Sequence, residues 1–282
     1  PLPRSVLEHA GLSAYAIAMF FGKICSGLTD GLRLCSAGTF VAAVGQLMLA
    51  WLAAGMDFPC GVSAGDVTDR SAILWTRADE AGPVRLELAT DRQFRRIVLT
   101  SAVTAGAETD FTVKVAVEGL SPHTLYYYRF VAEDGSAAVS ETGRFRTAPA
   151  PDEPAGFRFV FSGDSDFSRG PFRLLGFAAN EDADFMIWFG DTIYADIPAG
   201  ELGIALSLQQ YRAKYRQLRT DPYLRLLQRS LPLYVGWDDH ELADNYAGAQ
   251  LTSPAAQARR LAAYTAFFEH MPISEQGIAG DE

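Results

Sequence analysis

The sequence predicts an α+β protein of several domains, in which an all-β sandwich precedes an α/β region. Short alternating runs separated by turn residues fill 57–147, which is the spacing of a β-sandwich. A Pro-rich stretch at 148–156, APAPDEPAG, is typical of a linker. In 157–282 strands alternate with helical segments, and this alternation indicates a parallel sheet.

The composition excludes several classes of protein. The chain has 282 residues, of which 49% are hydrophobic and 21% charged, so it can form substantial cores. Its formal net charge of -10 argues against a nucleic-acid-binding patch, because phosphate backbones are bound by clustered Lys and Arg. Cys25, Cys35 and Cys60 have no metal-ligand spacing and predict neither a zinc site nor a disulfide framework. The oligomeric state is left open.

The hydrophobic N-terminal segment, residues 1–56, is predicted to serve export or anchoring. No charged residue occurs from Leu34 to Met56, and this stretch is long enough to span a bilayer. Its Ala/Gly-rich end also resembles a signal-peptide cleavage region. We therefore expect contact of 34–56 with a membrane or the export machinery, and an exported protein that is periplasmic, secreted or anchored to the cell envelope. The alternative is an ordinary buried helix.

The sandwich is predicted from seven short runs. They are Gly61–Ala64, Ser71–Arg77, Val84–Thr90, Ile97–Thr104, Phe111–Val117, Thr124–Ala132 and Gly143–Thr147. The segment GLSPHTLYYYRF, residues 119–130, resembles the tyrosine-corner region of a fibronectin-type-III sandwich. The resemblance implies a fibronectin-III-like domain at this position.

The second half is predicted to contain three buried-type strands and intervening helices. The strands are Phe157–Phe161, Phe185–Phe189 and Leu231–Val235, and the helices are Pro171–Asn180, Leu206–Leu218 and a segment from Pro222 to about Arg229. Ligand sites of parallel sheets lie at the carboxyl ends of the strands.

Acidic residues follow all three of these strands. The sequence places Asp164 and Asp166 after the first, Asp191 after the second, and Asp238 with Asp239 after the third. Several carboxylates directed at one place repel each other unless hard cations lie between them. The pattern predicts a metal centre, although a single Gly-Asp pair at a strand end is also common in turns.

Three motifs at these strand ends carry a family resemblance. The series GDSD, GDTIY and WDDHE resembles the motifs of calcineurin-like metallophosphoesterases. WDDHELADNY, together with AYTAFFEHMPI at 263–273, resembles the alkaline phosphatase D (PhoD) family, and FPCGVSAGDVTDRSAILWTRA resembles the opening of its fibronectin-like N-terminal domain. The resemblance extends from about Phe58 to Ile273.

The resemblance implies a set of metal ligands. It makes Asp164 a ligand of the first metal, Asp191 the bridge between two metals, and Tyr194 a phenolate ligand of ferric iron. Asp239 or Asn245 would bind the second metal, and the sequence does not choose between them. Many relatives carry Cys where this chain has Asp164, so the identity of the first metal is left open.

The resemblance also implies residues that contact the phosphate. His240 would stabilise charge or protonate the leaving alkoxide, while Arg169 and Arg173 are weaker candidates for a phosphate clamp. The implied activity is hydrolysis of phosphomonoesters and phosphodiesters at alkaline pH by a metal-bound hydroxide at a dinuclear site. The implied cofactors are Fe3+ and Ca2+ or another divalent metal.

The resemblance implies that this chain holds about the first half of an αββα metallophosphoesterase domain, and this keeps other interpretations open. The family's last metal ligands lie in a C-terminal stretch, whereas this chain stops at Glu282, so we expect an incomplete site, weak metal binding and little turnover. One alternative is an exported fibronectin-like binding module with a vestigial, non-catalytic metal site. Another is a structural calcium site without catalysis.

Overall fold

The computed structural model describes residues 55–248 and 252–274. The ten strands are β1 Val62–Gly65, β2 Ala72–Arg77, β3 Gly82–Ala89, β4 Ile97–Ala105, β5 Thr112–Val117, β6 Leu125–Ala132, β7 Gly143–Arg146, β8 Phe159–Ser162, β9 Phe185–Trp188 and β10 Leu233–Val235. Within the same described residues, the α-helices are α1 Arg173–Ala178, α2 Leu208–Leu218, α3 Pro222–Ser230 and α4 Pro254–His270.

These elements form two sheets. The first has the strand order β5-β2-β1-β10-β9-β8, and the second has the order β4-β3-β6-β7. The pairs β5–β2 and β2–β1 are antiparallel, whereas the pairs β1–β10, β10–β9 and β9–β8 are parallel. The four-stranded sheet is antiparallel throughout.

The six-stranded sheet therefore contains strands from both sides of the predicted linker at 148–156. These two groups of strands meet at the parallel pairing of β1 with β10, in which Gly65 lies opposite Leu233, and we call this pairing the crossing. The sequence analysis did not predict this pairing, because the two strands are far apart in the chain and nothing local in either specifies the other. The domain boundaries at 57, 148 and 157 stay predictions, and so does the fibronectin type of the sandwich.

Two hydrophobic cores lie on either side of this crossing. The first lies between the two sheets and includes the fully buried Leu74, Leu86 and Phe130. The second lies between β8–β10 and the helices and includes Trp188, Tyr211 and Leu227. Alternation along the strands produces both cores, since every second residue points to the same face.

Sequence and structure agree closely on the local elements. β10 begins at Leu233 instead of Leu231, and β8 spans Phe159–Ser162 instead of Phe157–Phe161. α3 begins with Pro222 and is capped by Asp221, whose carboxylate accepts hydrogen bonds from the Tyr223 and Leu224 amides. The mixed α+β class is confirmed.

The predicted export segment falls almost wholly outside the described residues, because the structure describes only Gly55 and Met56 of 1–56. Within 55–248 and 252–274, no helix combines the length and the apolar character needed to cross a membrane.

Candidate metal centre

Three loops meet at one edge of the six-stranded sheet, because β8, β9 and β10 are parallel and their carboxyl ends coincide. We call them the first (163–166), second (190–196) and third (236–245) acidic loops. The Ser165 amide donates a hydrogen bond to the carbonyl of Asp191 at 3.1 Å, and the Ala195 amide donates to the carbonyl of His240 at 2.9 Å. The second loop is thereby joined to both of the others.

The backbone at this edge adopts conformations that are rare for L-residues. Asp164 and Asp191 have φ values of 54° and 50°, and Gly190 has a φ of 113°. A Cβ on Gly190 would lie 2.5 Å from the Cβ of Asp238. The second and third loops thus approach so closely that only glycine fits, and left-handed residues of this kind concentrate at functional sites.

One cluster of side chains has the arrangement of a metal site. A carboxylate oxygen of Asp191, a carboxylate oxygen of Asp239 and a ring nitrogen of His240 all lie within 4.8 Å of one another. Asp191 is only 3% exposed. Oxygen and imidazole ligands suit several divalent and trivalent ions, so this donor set fits the metal that the sequence predicts.

The electrostatics of Asp191 and Tyr194 indicate a place for positive charge. Burial raises the pKa of Asp191, against a hydrogen bond from Tyr194 and the attraction of His240. Burial, followed by the charge and hydrogen bond of Asp191, raises the pKa of Tyr194. The protein alone therefore keeps Tyr194 a neutral phenol, and a phenolate ligand would need the charge of a metal ion beside it.

His240 is held in place by a residue that the sequence analysis missed. Asp196 accepts a hydrogen bond from His240 Nδ1 at 2.8 Å, and its other oxygen accepts one from the Asp244 amide at 2.6 Å. The imidazole also stacks on Tyr194, with the ring centroids 4.2 Å apart. Burial opposes protonation of His240, but the Asp196 carboxylate outweighs it and raises the pKa of the ring.

Glu241 is the second residue without a predicted role. It is fully buried, and it accepts hydrogen bonds from the Asp191 amide (3.0 Å), the Thr192 hydroxyl (2.7 Å) and the Asp238 amide (2.9 Å). Burial raises the pKa of Glu241 to about 7, against these hydrogen bonds. Its carboxylate thus ties the second loop to the third. The sequence did contain a signal that could have pointed to Glu241, because it is the last residue of the WDDHE motif.

The remaining predicted residues lie around this cluster. Asp164 is exposed and outside the three-residue group, although its charge helps to raise the pKa of Tyr194. Asn245 has a left-handed φ of 57°, and its amide donates a hydrogen bond to the Asp239 carboxylate. Arg169 has an 85% exposed side chain that pairs with Asp166 at 3.7 Å. Arg173 is exposed at the start of α1.

Comparison with known proteins gives consistent results for both halves. The family described as PhoD-like phosphatase, N-terminal domain, matches residues 47–149, and the family described as PhoD-like phosphatase matches residues 158–282. Alkaline phosphatase D of Bacillus subtilis (strain 168) is 31% identical in an alignment 280 residues long, which covers 89% of this chain and 46% of the relative. A solved structure of PhoD matches with a TM-score of 0.72 and 31% identity, over 77% of this chain and 46% of that one.

Fold and site define a mixed α+β protein with an acidic edge, whose donor set fits a metal ion, at the parallel strands of the six-stranded sheet. The chain belongs to the PhoD-like phosphatase family. It spans about half the length of the curated relative that it matches.

Proposed function

We propose that this chain provides a metal-binding half of a phosphoesterase that hydrolyses phosphomonoesters and phosphodiesters in the manner of alkaline phosphatase D. The observation that supports this most strongly is the cluster of Asp191, Asp239 and His240 within 4.8 Å at the carboxyl edge of the parallel strands. Membership of the PhoD-like phosphatase family supports the reaction class.

The proposed centre is dinuclear. Asp191 would bridge two metal ions, with Asp164 and Tyr194 on one of them and Asp239 or Asn245 on the other. The family resemblance favours Fe3+ and Ca2+ or another divalent metal. Bound metal ions would neutralise the phosphate oxygens and lower the pKa of a water molecule for attack on phosphorus.

The chain's own residues would orient the phosphate and the leaving group. Because Asp196 accepts the Nδ1 proton of His240, Nε2 is the ring nitrogen left to face the ester. Glu241 would fix the backbone on either side of Asp191. Arg169, with its largely exposed side chain, is free to swing toward a bound phosphate.

Part of the proposed site would be supplied by polypeptide equivalent to the part of the relative that lies outside the match. Asp164 and Asn245 are both exposed. The relative is about twice as long as its matched part. We therefore propose that further ligands belong to polypeptide equivalent to the unmatched remainder, so that the chain alone binds metal weakly and turns over slowly.

The proposed place of action is outside the cytoplasm. The uncharged stretch from Leu34 to Met56 supports export or anchoring. The seven strands of the N-terminal half support a sandwich of the fibronectin-III kind.

The test compares the chain alone with the same chain joined to the part of B. subtilis alkaline phosphatase D that follows the match. Each protein is analysed for iron and calcium and assayed with a chromogenic phosphodiester at pH 8 to 9. We expect the joined protein to contain metal and to hydrolyse the ester, because both sets of ligands are present. Asp191→Asn should remove the metal and lower the rate by at least about 100-fold.

Asp182→Asn is the matched control, because the Asp182 side chain is 89% exposed and forms a surface ion pair with Arg158. It should change neither metal content nor rate. A joined protein that is folded and loaded with metal, but whose rate Asp191→Asn lowers by less than about threefold, would show that the bridging role is wrong.

A further inference from the structure

A cavity between the four-stranded sheet and the helices is lined by arginine side chains, and we call it the arginine cavity. Its volume is about 260 Å³. A water molecule occupies about 30 Å³ in the liquid, so this space holds a small hydrated anion. The polar wall is formed by Arg92, Tyr127, Thr142 and Arg144 on the sandwich side and by Arg229 and Ser230 of α3 on the helical side.

The wall of the arginine cavity has an unbalanced positive charge. Among the described residues, no carboxylate lines it. Likewise, in the part of the chain that the structure describes, Arg92, Arg144 and Arg229 form no ion pair. Elsewhere on the same sheet, Arg129 pairs with Glu87 at 2.7 Å. Three unpaired arginines around one cavity are unexpected in a chain of formal net charge -10.

The acidic residues beside this wall in the chain have other partners. Asp91 is next to Arg92, but its carboxylate oxygens accept hydrogen bonds from three backbone amides of its own turn. Glu141 is next to Thr142 and pairs with Arg225 at 3.2 Å. These neighbours therefore do not neutralise the guanidinium groups of the cavity, and the cavity attracts anions from solution.

One of the three arginines is held in position by the helical side. Arg144 Nε donates a hydrogen bond to the Ser230 carbonyl at 3.2 Å, which leaves the two terminal nitrogens of the guanidinium for a ligand. Arg144 also lies opposite Tyr127 in the pairing of β7 with β6, so both side chains project from the same face of the sheet. Guanidinium groups bind phosphate oxygens through paired N–H donors, and the phenol hydroxyl is a further donor.

We infer that the arginine cavity binds a phosphate group at a site separate from the candidate metal centre. A phosphate dianion suits this wall better than a single carboxylate, because it offers more charge and more acceptor oxygens to three guanidinium groups. Inorganic phosphate and the terminal phosphate of a monoester share this chemistry. The protein's own cations hold the ligand, so binding requires no metal ion.

The arginine cavity and the acidic loops lie at opposite ends of the parallel strands. Asn180 and Ser230, which both line the cavity, come shortly before β9 and β10, whereas the second and third acidic loops follow these strands. The four residues of β9 span about 13 Å, at about 3.3 Å per residue. The inference thus goes beyond the proposed function. Since it is tested without metal and without turnover, its failure is distinguishable from a failure of hydrolysis.

Phosphate in the arginine cavity links the sandwich to the helices. It bridges Arg92 and Arg144 on one side to Arg229 on the other, and it removes the repulsion among their like charges. A ligand that binds only the folded chain stabilises that chain by mass action. Phosphate therefore raises the Tm of the metal-free chain in a saturable manner.

The test measures binding to the full chain in the presence of a chelator, which removes metal ions from the acidic loops. Isothermal titration calorimetry uses inorganic phosphate and glycerol phosphate at constant ionic strength, because salt screens exposed charges. We expect one saturable site with a Kd of roughly 1 mM or below, and a rise in Tm over the same concentrations. The probe that binds more tightly identifies the source of the phosphate group. Succinate, a dicarboxylate, should bind at least about tenfold more weakly.

Arg92→Gln and Arg229→Gln should each weaken phosphate binding by about tenfold or more, because each removes charge-assisted hydrogen bonds. Neither side chain has an ion pair within the described residues, so both variants should fold as the wild type does. Arg95→Gln is the matched control, since Arg95 is exposed in the same turn as Arg92 but does not line the cavity. It should retain the wild-type affinity.

Three results would each overturn the inference. The first is the absence of saturable phosphate binding to the wild type. The second is an affinity for succinate equal to that for phosphate. The third is a loss of affinity that does not distinguish Arg92→Gln and Arg229→Gln from Arg95→Gln, because general surface charge would then account for the binding.

Discussion

Asp196 shows how a residue outside the recognised motifs can fix the positions of side chain and backbone at a site. Its carboxylate holds both the Nδ1 of His240 and the amide of Asp244, so it fixes the imidazole and the third acidic loop together. Groups in such outer positions commonly change metal affinity or activity by 10- to 100-fold when they are lost. Asp196 is therefore a positioning residue for His240.

We expect Asp196→Ala to lower the turnover of the joined, metal-loaded protein by about 10- to 100-fold while changing the KM much less. Without the acceptor, the ring can rotate and Nε2 no longer faces the ester. Asp196→Asn retains an oxygen acceptor and should recover part of the rate. Steady-state kinetics on a phosphodiester measure both values.

The control for this experiment is Asp244→Ala. Asp244 has a 69% exposed side chain that lies 3.8 Å from His240 Nε2, too far for a direct hydrogen bond. Its loss should leave turnover within about twofold. Equal losses in Asp196→Ala and Asp244→Ala would mean that general loop charge, and not positioning of the ring, accounts for the effect.

At the level of residues, the sequence identified candidate metal ligands better than it identified the residues that hold those ligands in place. Asp164, Asp191 and Asp239 were predicted to lie at one edge because each follows an apolar run. The structure brings Asp191 and Asp239 together, whereas Asp164 lies outside that group, and the role of each as a ligand stays a prediction. Asp196 and Glu241 were not assigned a role, since what they hold depends on loops that meet only after folding. The sequence shows that an acidic residue is present, but it does not show which backbone amide will donate a hydrogen bond to that residue.

The strands and the first three helices were predictable to within a few residues, whereas the extent of α4 and the order of the strands in the sheets were not. Alternating apolar residues located the strands of the sandwich, and buried-type apolar runs located β8, β9 and β10. The pairing of β1 with β10 depends instead on tertiary contacts around Gly65. A Cβ at Gly65 would lie 2.3 Å from the Pro272 carbonyl oxygen and 2.8 Å from that of Leu233.

We expect Gly65→Val to destabilise the protein by about 3 kcal/mol or more, because backbone oxygens cannot move aside as a flexible side chain can. The loss should appear in urea unfolding followed by tryptophan fluorescence. Gly203→Ala is the control, since an added Cβ at Gly203 has no neighbour within 4 Å. Similar stabilities for Gly65→Val and wild type would show that β1 can separate from β10 at little cost.

For the whole molecule, a buried polar cluster joins the two halves. Asp110, just before β5, binds Arg77 of β2 at 3.2 Å and Arg216 of α2 at 2.6 Å, and His270 Nε2 lies 3.3 Å from its carboxylate. Burial opposes ionisation of Asp110, but hydrogen bonds from His270, Arg216 and Arg77 outweigh it and hold the pKa of this carboxyl well below its usual range. Asp110 therefore remains charged at neutral pH and attracts the guanidinium groups of Arg77 and Arg216.

His270 at this junction makes stability depend on pH. Burial lowers the pKa of His270 from 6.5 to about 4, with Asp110 opposing the shift and Arg219 and Arg77 adding to it. Between these two values the unfolded chain binds more protons than the folded one, so the free energy of unfolding decreases as the pH falls. We expect a loss of up to about 3 kcal/mol between pH 7 and pH 4 from this residue.

Urea unfolding at a series of pH values measures this dependence. Relative to wild type, His270→Gln should make the free energy of unfolding decrease less as the pH falls from 6.5 to 4, because the titrating ring is gone. The raised pKa of Glu241 acts in the opposite direction in both proteins, so the difference between the two slopes is the quantity that measures His270. His123→Gln is the matched control, since His123 has a 45% exposed side chain, and it should retain the wild-type slope. A wild-type slope in His270→Gln would assign the acid sensitivity to other groups.

The crossing of the sheet from β1 to β10 also has a consequence for the growing chain. At 5 to 20 residues per second, the roughly 170 residues between the two strands take about 10 to 30 seconds to synthesise. During that time β1 has its antiparallel neighbour β2, but its other edge is unpaired. The edge of β1 thus stays unpaired until β10 has been synthesised. Any chaperone or neighbouring nascent chain that contacts this edge competes with β10 for pairing with β1.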